Sequence, residues 1–415
     1  MKNDERDRKV SASKSVLIVI GIILVAFNLR PSLTAVGPLV SSICADLGIS
    51  NGLAGLITTL PLMAFAVLSP LAPKIGQRVS NEVTILLGLL VLLLGILIRS
   101  AGLISTMFIG TACVGLGIAI CNVLLPGIVK QRFPNKVGLM TSLYSTSMSV
   151  VAAFASGVSI PLARGLGLGW QKALLVWGTL AVVAALCWIP QLLNRRKLED
   201  HRQSHMSHGS LWRSTIAWQV TCFMGLQSFL FYCTIAWLPD ILTHGGFSDS
   251  TAGWLLFLVQ LAGLPATFVT PTLAGRLTDQ RLIVVVLGIL YFGGMLGILF
   301  GGSIGMVSLY TVLVGLGQGS TISLALAFLG LRTASAKQAA ELSGMAQSIG
   351  YVLAAIGPVL IGVLYDSIHS WTVPIVILLV VIVLMFLAGL GAGCNKYVLA
   401  GEHTPVVGKD QDSRY

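Results

Sequence analysis

The chain has 415 residues, of which 55% are hydrophobic and only 10% charged, against roughly 25% charged in a soluble globular domain. Water is therefore not its main solvent. A net charge of +11 would suit a nucleic-acid binder on a soluble fold, but the basic residues fall between long apolar runs rather than on one interleaved surface, which excludes that class.

Residues 1–14 are polar and basic and read as a tail. From Ser15 onward the chain supplies apolar runs of the roughly 20 residues that a bilayer-spanning helix needs. Cutting at charged, Gly/Pro or Asn/Ser punctuation predicts twelve spans, near 15–38, 51–73, 83–100, 105–129, 138–162, 172–190, 214–240, 250–274, 282–301, 305–330, 338–364 and 371–393. The first run lacks the small-residue cleavage site of a signal peptide and reads as a retained span. The polar linker 191–213, with "NRRKLEDHRQSHMSHGS" at 194–210, divides 15–190 from 214–393, and 394–415 forms a second tail. The expected fold is an all-α integral membrane protein of two six-helix bundles.

The first span carries the residue of most interest. Arg30 lies about 15 residues into it, hence roughly 22 Å deep at 1.5 Å per residue. On the lipid side a guanidinium would cost about 2.5–3.5 kcal/mol, so it should face the bundle interior or a wet cavity. Pro31 removes a backbone donor and clashes with the carbonyl of Phe27, bending the helix beside the charge. Thr34 and Gly37 continue a polar, small-residue stripe outward, while Asn28 sits nearly opposite and is free to bond a neighbouring span. Two readings stand: Arg30 as the counter-charge of an anionic solute, or as a structural arginine bonded to carbonyls or to Glu341.

Amides and aromatics gather at a similar depth further along. Asn122 falls in span four, Tyr144 in span five, and Gln227, Gln260, Gln318 and Gln347 near the centres of spans seven, eight, ten and eleven. Buried amides need partners, so each is either a ligand contact or interhelical glue. Ser343, Gln347 and Tyr351 share one face at i, i+4 and i+8 and make span eleven the expected second wall. Glu341, about one turn into the same span, is expected to pair with Arg132 or Arg332 rather than to carry protons. The seven cysteines are scattered without a CxxC pair and read as packing residues; no metal, cofactor or catalytic residue is expected.

Basic residues assign the sides. Counting the tails, 22 of the 26 Lys and Arg fall on one alternating set of loops, the opposite set holding only Arg99, Arg164 and Lys172. The positive-inside tendency then places both termini in the cytoplasm and the protein in the cell membrane. The chain also repeats itself: "VGLG" at 114–117 returns at 314–317, Arg132 matches Arg332, and "GISNGLAG" (48–55) resembles "GFSDSTAG" (246–253). Parallel repeats of this kind form midplane sites between two halves in many secondary transporters.

With twelve spans in a 6+6 repeat, the chain resembles a major facilitator superfamily transporter. That family's loop after span two usually reads G-x-L-x-D-R-x-G-R-K, and the matching stretch here is "SPLAPKIGQR" (69–78), with Pro73 where the family has Asp. The second-half counterpart "GRLTDQR" (275–281) keeps Gly275, Leu277, Asp279 and Arg281, so the resemblance implies a gating role for Asp279 and Arg281. A closer resemblance is to the cyanate and 2-nitroimidazole porter family. It is carried by "NLRPSLTAVGPL" (28–39), "GLITTLPLMAFAVLSPLA" (55–72), "GIAICNVLLPGIVKQRFP" (117–134), "WRSTIAWQVTCFMGLQSFLFYCTIAWLPDIL" (212–242) and "AAELSGMAQSIGYVLAAIGP" (339–358). This resemblance implies a small anionic or polar solute as partner, besides membrane lipids, and a monomer. A proton carried with the solute and plain uniport both remain open.

Two rivals are weaker. Drug/proton antiporters usually carry G-x-x-x-G-P-x-x-G-G in span five, which here reads "SVVAAFASGVSIPLA" (149–163). A membrane enzyme would need a nucleophile with its base or a carboxylate pair, and no HExxH or GxSxG occurs. The histidines at 201, 205 and 208 read as part of a flexible basic loop.

Overall fold

A computed structural model describes residues 16–49, 51–193 and 210–399, and these are helical with no strand among them. The tail 1–14, the polar core of the linker and all but the first residues of the tail from 394 lie outside the described residues. In hydrocarbon no water satisfies backbone N–H and C=O groups, so each apolar run closes its bonds internally as a helix.

In the first half, span one is broken: residues 16–26 are helical, followed by Pro31–Thr34, Gly37–Leu39 and Val40–Leu47. Span two is Asn51–Leu68, bent by 53° into Ala72–Val79. Spans three, four and five are Asn81–Arg99, Ile104–Arg132 and Val137–Ile160, and span six is Gly169–Leu175 with Trp177–Leu193. In the second half, spans seven to twelve are Thr215–His244, Asp249–Ala274, Arg281–Phe300, Ile304–Leu331, Ala336–Ile368 and Thr372–Ala392. Among the described residues 11 helices are long and apolar enough to cross a membrane, and the bent pair of span two makes up to 12. Serines start several of them: Ser80, Ser214, Ser248 and Ser335 accept from Val83 N, Ala217 N, Thr251 N and Gln338 N at 3.2–3.3 Å.

Packing follows the repeat. Spans three and two pack on four as nine and eight pack on ten, and six on three as twelve on nine. A Cβ at Gly115 would meet Pro61 of span two, and one at Gly315 would meet Val259 of span eight. Likewise Gly117 abuts Gly88 and Leu92 of span three, and Gly317 abuts Tyr291 of span nine. The halves meet through spans five and eight, two and eleven, four and eleven, ten and five, and four and ten. Here the inner end of the bundle means the end at which residue 16 starts and residue 392 finishes.

Candidate functional site

Pro31 breaks span one as its chemistry requires. The last turn before it tightens, with Asn28 N donating to Val25 O at 3.0 Å and Leu29 N to Ala26 O at 3.1 Å, and Arg30 leaves helical geometry at φ −127° and ψ −37°. Asn28 pins the break from behind, donating from Nδ2 to Leu24 O at 2.8 Å and to Leu180 O of span six at 3.2 Å. Thr34 Oγ1 donates to Ala152 O of span five at 3.0 Å.

The half-buried Arg30 guanidinium lies 5.4 Å from the ring centroid of Phe231 in span seven, across the divide between the halves. Its charge also acts on Tyr232 and Tyr351. It has no hydrogen bond and no ion pair with a described residue, the ion pairs there being Arg132–Glu82 at 3.0 Å and Arg281–Asp279 at 3.9 Å. Tyr351 packs against Phe65 of span two with ring centroids 4.5 Å apart. Below it, Asn122 Nδ2 donates to Gln347 Oε1 at 2.7 Å and to Tyr351 Oη at 3.1 Å. Gln347 Nε2 returns a bond to Asn122 O at 3.2 Å and donates to Ser343 Oγ at 2.7 Å. A guanidinium facing the Phe231 ring thus stands near Tyr351, whose hydroxyl belongs to a set of mutually satisfied amides, so the group left with unused donors is the cation.

Of the residues expected to line a site, the structure brings Arg30, Asn122, Gln347 and Tyr351 together. The others lie elsewhere or are closed off. Gln227 Nε2 donates to its own neighbour Ser228 at 2.8 Å, and its Oε1 is buried without a partner among the described residues. Gln318 is buried beside Tyr291 within the second half, and Tyr144 is buried within the first half. Gln260 is exposed, on the strip of span eight between the faces toward spans five and ten.

The expected pairing of Glu341 with Arg132 or Arg332 is not what forms. Arg132 sits at the end of span four and pairs with Glu82, which starts the adjacent span three. Arg332 donates to carbonyls closing span twelve, Ala392 O at 2.7 Å and Gly393 O at 3.0 Å, and burial lowers its pKa below the ordinary arginine value. Glu341 instead faces the other half and accepts from Gln77 Nε2 at 2.8 Å. Asp279 and Arg281 are exposed neighbours within the second half, where Arg281 donates to Leu390 O at 3.3 Å and touches the Cys394 thiol.

Sequence reasoning missed Phe65, Phe231, Tyr232, Gln77 and Arg99. Phe231 carried a signal, standing one turn beyond Gln227 on the same face of span seven. Arg99 carried none: it looks like an outer-loop charge but ends span three fully buried, its Nη1 donating to Ser32 O at 2.8 Å.

Comparison with known proteins agrees with this architecture. The model of the Major Facilitator Superfamily matches residues 18–354 and 225–394. The chain is 53% identical to the "Uncharacterized transporter YycB" of Bacillus subtilis, covering 94% of this chain and 96% of that one. It is 39% identical to the 2-nitroimidazole transporter of Escherichia coli (94% and 98% covered) and 27% identical to the cyanate transport protein CynX of the same organism (83% and 88%). The solved proton:xylose symporter XylE superposes with a TM-score of 0.73 at 13% identity, over 93% of this chain and 98% of that one. The chain belongs to the major facilitator superfamily and is a multi-pass secondary transporter. Within that superfamily it is of the cyanate and 2-nitroimidazole porter type.

Proposed function

We propose that this protein carries a small, planar, anionic or strongly polar solute across the cell membrane by alternating access, with Arg30 as the solute's counter-charge. The observation that carries the reading is a guanidinium between the halves with no hydrogen bond or ion pair to a described residue. An intramembrane charge of this kind is costly unless it meets a partner for part of the cycle. Two relatives favour the same chemistry by name, a 2-nitroimidazole transporter and a cyanate transport protein.

The halves touch on the inner side of the site. Ser142 bonds Phe268 O and Thr272 at 2.7 Å, Ser348 bonds Ala66 O at 2.6 Å, and Gln77 bonds Glu341 at 2.8 Å. Outward, the stripe of span eight that meets span five at Phe268 and Gly275 continues through Leu261 and Phe257, which are 49% and 52% exposed. The site is therefore read as open to the outside, with both termini cytoplasmic. Glu341 belongs to the inner closure, so any co-transported proton travels on the solute itself. The Phe231 ring against Arg30, with Tyr232 and Tyr351 near it, also favours a second reading, export of small aromatic compounds, which the same assay run as efflux decides.

The test is uptake of 2-nitroimidazole and of cyanate into proteoliposomes by the native protein, Arg30→Ala and Arg30→Lys. Each charge-assisted bond is worth roughly 1.5–3 kcal/mol, so Arg30→Ala should raise KM by about 10- to 100-fold or abolish uptake. Arg30→Lys, lacking the bidentate fork, should recover only part of it. Native uptake by a folded Arg30→Ala protein would falsify the counter-charge.

A further inference from the structure

Arg99 is a cation with no place in the transport reading so far. It is 0% exposed at the end of span three, and its Nε and Nη2 have no hydrogen-bond partner among the described residues. Burying a guanidinium with most of its donors unsatisfied is costly, so a position that tolerates it needs a reason. Span four accommodates it closely, since a Cβ at Gly110 would lie 2.4 Å from Arg99 N and 2.7 Å from its Cα.

The reason lies in the group that Arg99 does bind. Around the break, the carbonyl of Arg30 accepts from Leu33 N at 2.9 Å and Thr34 N at 3.0 Å, and that of Pro31 from Ala35 N at 2.9 Å. In a continuous helix the Ser32 carbonyl would accept from Val36 N, but Val36 N turns to Leu33 O at 3.3 Å instead. Ser32 O is thus released where the four-residue helix Pro31–Thr34 ends, and Arg99 Nη1 takes it at 2.8 Å. A buried carbonyl left without a donor would favour rewinding the break into regular helix.

We propose that Arg99 is a positioning residue: by holding the Ser32 carbonyl it keeps span one broken, and so holds Arg30, two residues earlier, against Phe231 and Tyr351. Its consequence for transport rests on the reading of Arg30 above; the clamp itself does not. The experiment has two readouts on the full-length protein, amide hydrogen exchange of residues 27–39 and the KM and Vmax of 2-nitroimidazole uptake, for native, Arg99→Met and Arg99→Lys.

In Arg99→Met, exchange in 27–39 should change by about tenfold or more, as expected for loss of one hydrogen bond from a charged donor, while spans seven to twelve keep native exchange. KM should rise with Vmax little changed, and Arg99→Lys, which keeps the charge and can offer one N–H, should lie between. Native exchange in 27–39 of a folded Arg99→Met protein overturns the clamp. Should Arg99→Met fail to fold, Arg99→Lys decides by the same measure: native exchange and native KM overturn it, and a change confined to 27–39 supports it. Altered exchange together with normal transport by Arg30→Ala leaves the clamp standing and removes the counter-charge reading. Altered exchange with native KM in the Arg99 variants, when Arg30→Ala is inactive, overturns the link between the clamp and Arg30.

Discussion

Asn122 and Gln347 satisfy each other across the two halves, whereas Arg30, at the level of Tyr351, is satisfied by none of the described residues. That difference separates glue from ligand contact, and it sets opposite expectations for mutation. Gln347→Leu removes the shorter of the two bonds of the buried Asn122 amide and leaves only that to Tyr351, at a cost of about 1–3 kcal/mol to the joined state of the halves. Asn122→Leu should cost about the same, and the double variant little more than either single one, read as labelling of an inner-facing cysteine by a thiol reagent. Additive effects would show that the pair is not a unit. At Phe231 the wall is a π-face, worth roughly 0.5–2 kcal/mol to a guanidinium, so Phe231→Leu should perturb Arg30 where Phe231→Tyr does not, measured as solute affinity.

At the scale of elements, spans five and eight are in backbone contact at their inner ends. A Cβ at Gly138 would lie 2.2 Å from Pro271 O, and one at Gly344 of span eleven would lie 2.6 Å from Ser69 O of span two. Gly157 and Gly253, toward the outer ends of spans five and eight, would meet nothing within 4 Å. Gly138→Ala or Gly344→Ala should therefore hold the inner ends apart and lower the melting temperature. Gly157→Ala should leave it unchanged or raise it, because alanine in a compatible helical position reduces the freedom of the unfolded chain by about 0.4–1 kcal/mol. Equal loss at both ends of span five would contradict a closure confined to the inner side. The break in span one belongs here too: Pro31 makes it, but Asn28, Thr34 and Arg99 fix its position against spans six, five and three.

Over the whole molecule the two six-span halves are related as repeats that touch at their inner ends, and on the function proposed above the site opens outward. A cysteine at Gln260, in a background lacking the seven native cysteines, should react with a membrane-impermeant reagent added from outside and be protected when added from inside. The converse would reverse either the orientation or the open side, and a protease-sensitive tag on the C-terminus, cut only from the cytoplasm, tells which. Bonds across the interface join residues 225 and 264 positions apart, Asn122 with Gln347 and Gln77 with Glu341.

What the sequence determined by itself is the set of spans and their pairing into repeats, with Arg30 placed inside the first of them. The physical reason is local: lipid forces every apolar run of sufficient length into a helix, and a charge inside one must turn inward. What only the tertiary structure decided is which polar groups meet. The amides of Gln227, Gln260, Gln318 and Gln347 look alike along the chain, yet one crosses the interface, two are buried within the second half and one is exposed. Glu341 finds Gln77 rather than an arginine, and Arg99 finds a carbonyl 67 residues away. Such choices depend on helix rotation and on the approach of distant backbones, which are set by packing between spans and not by the residues flanking each group.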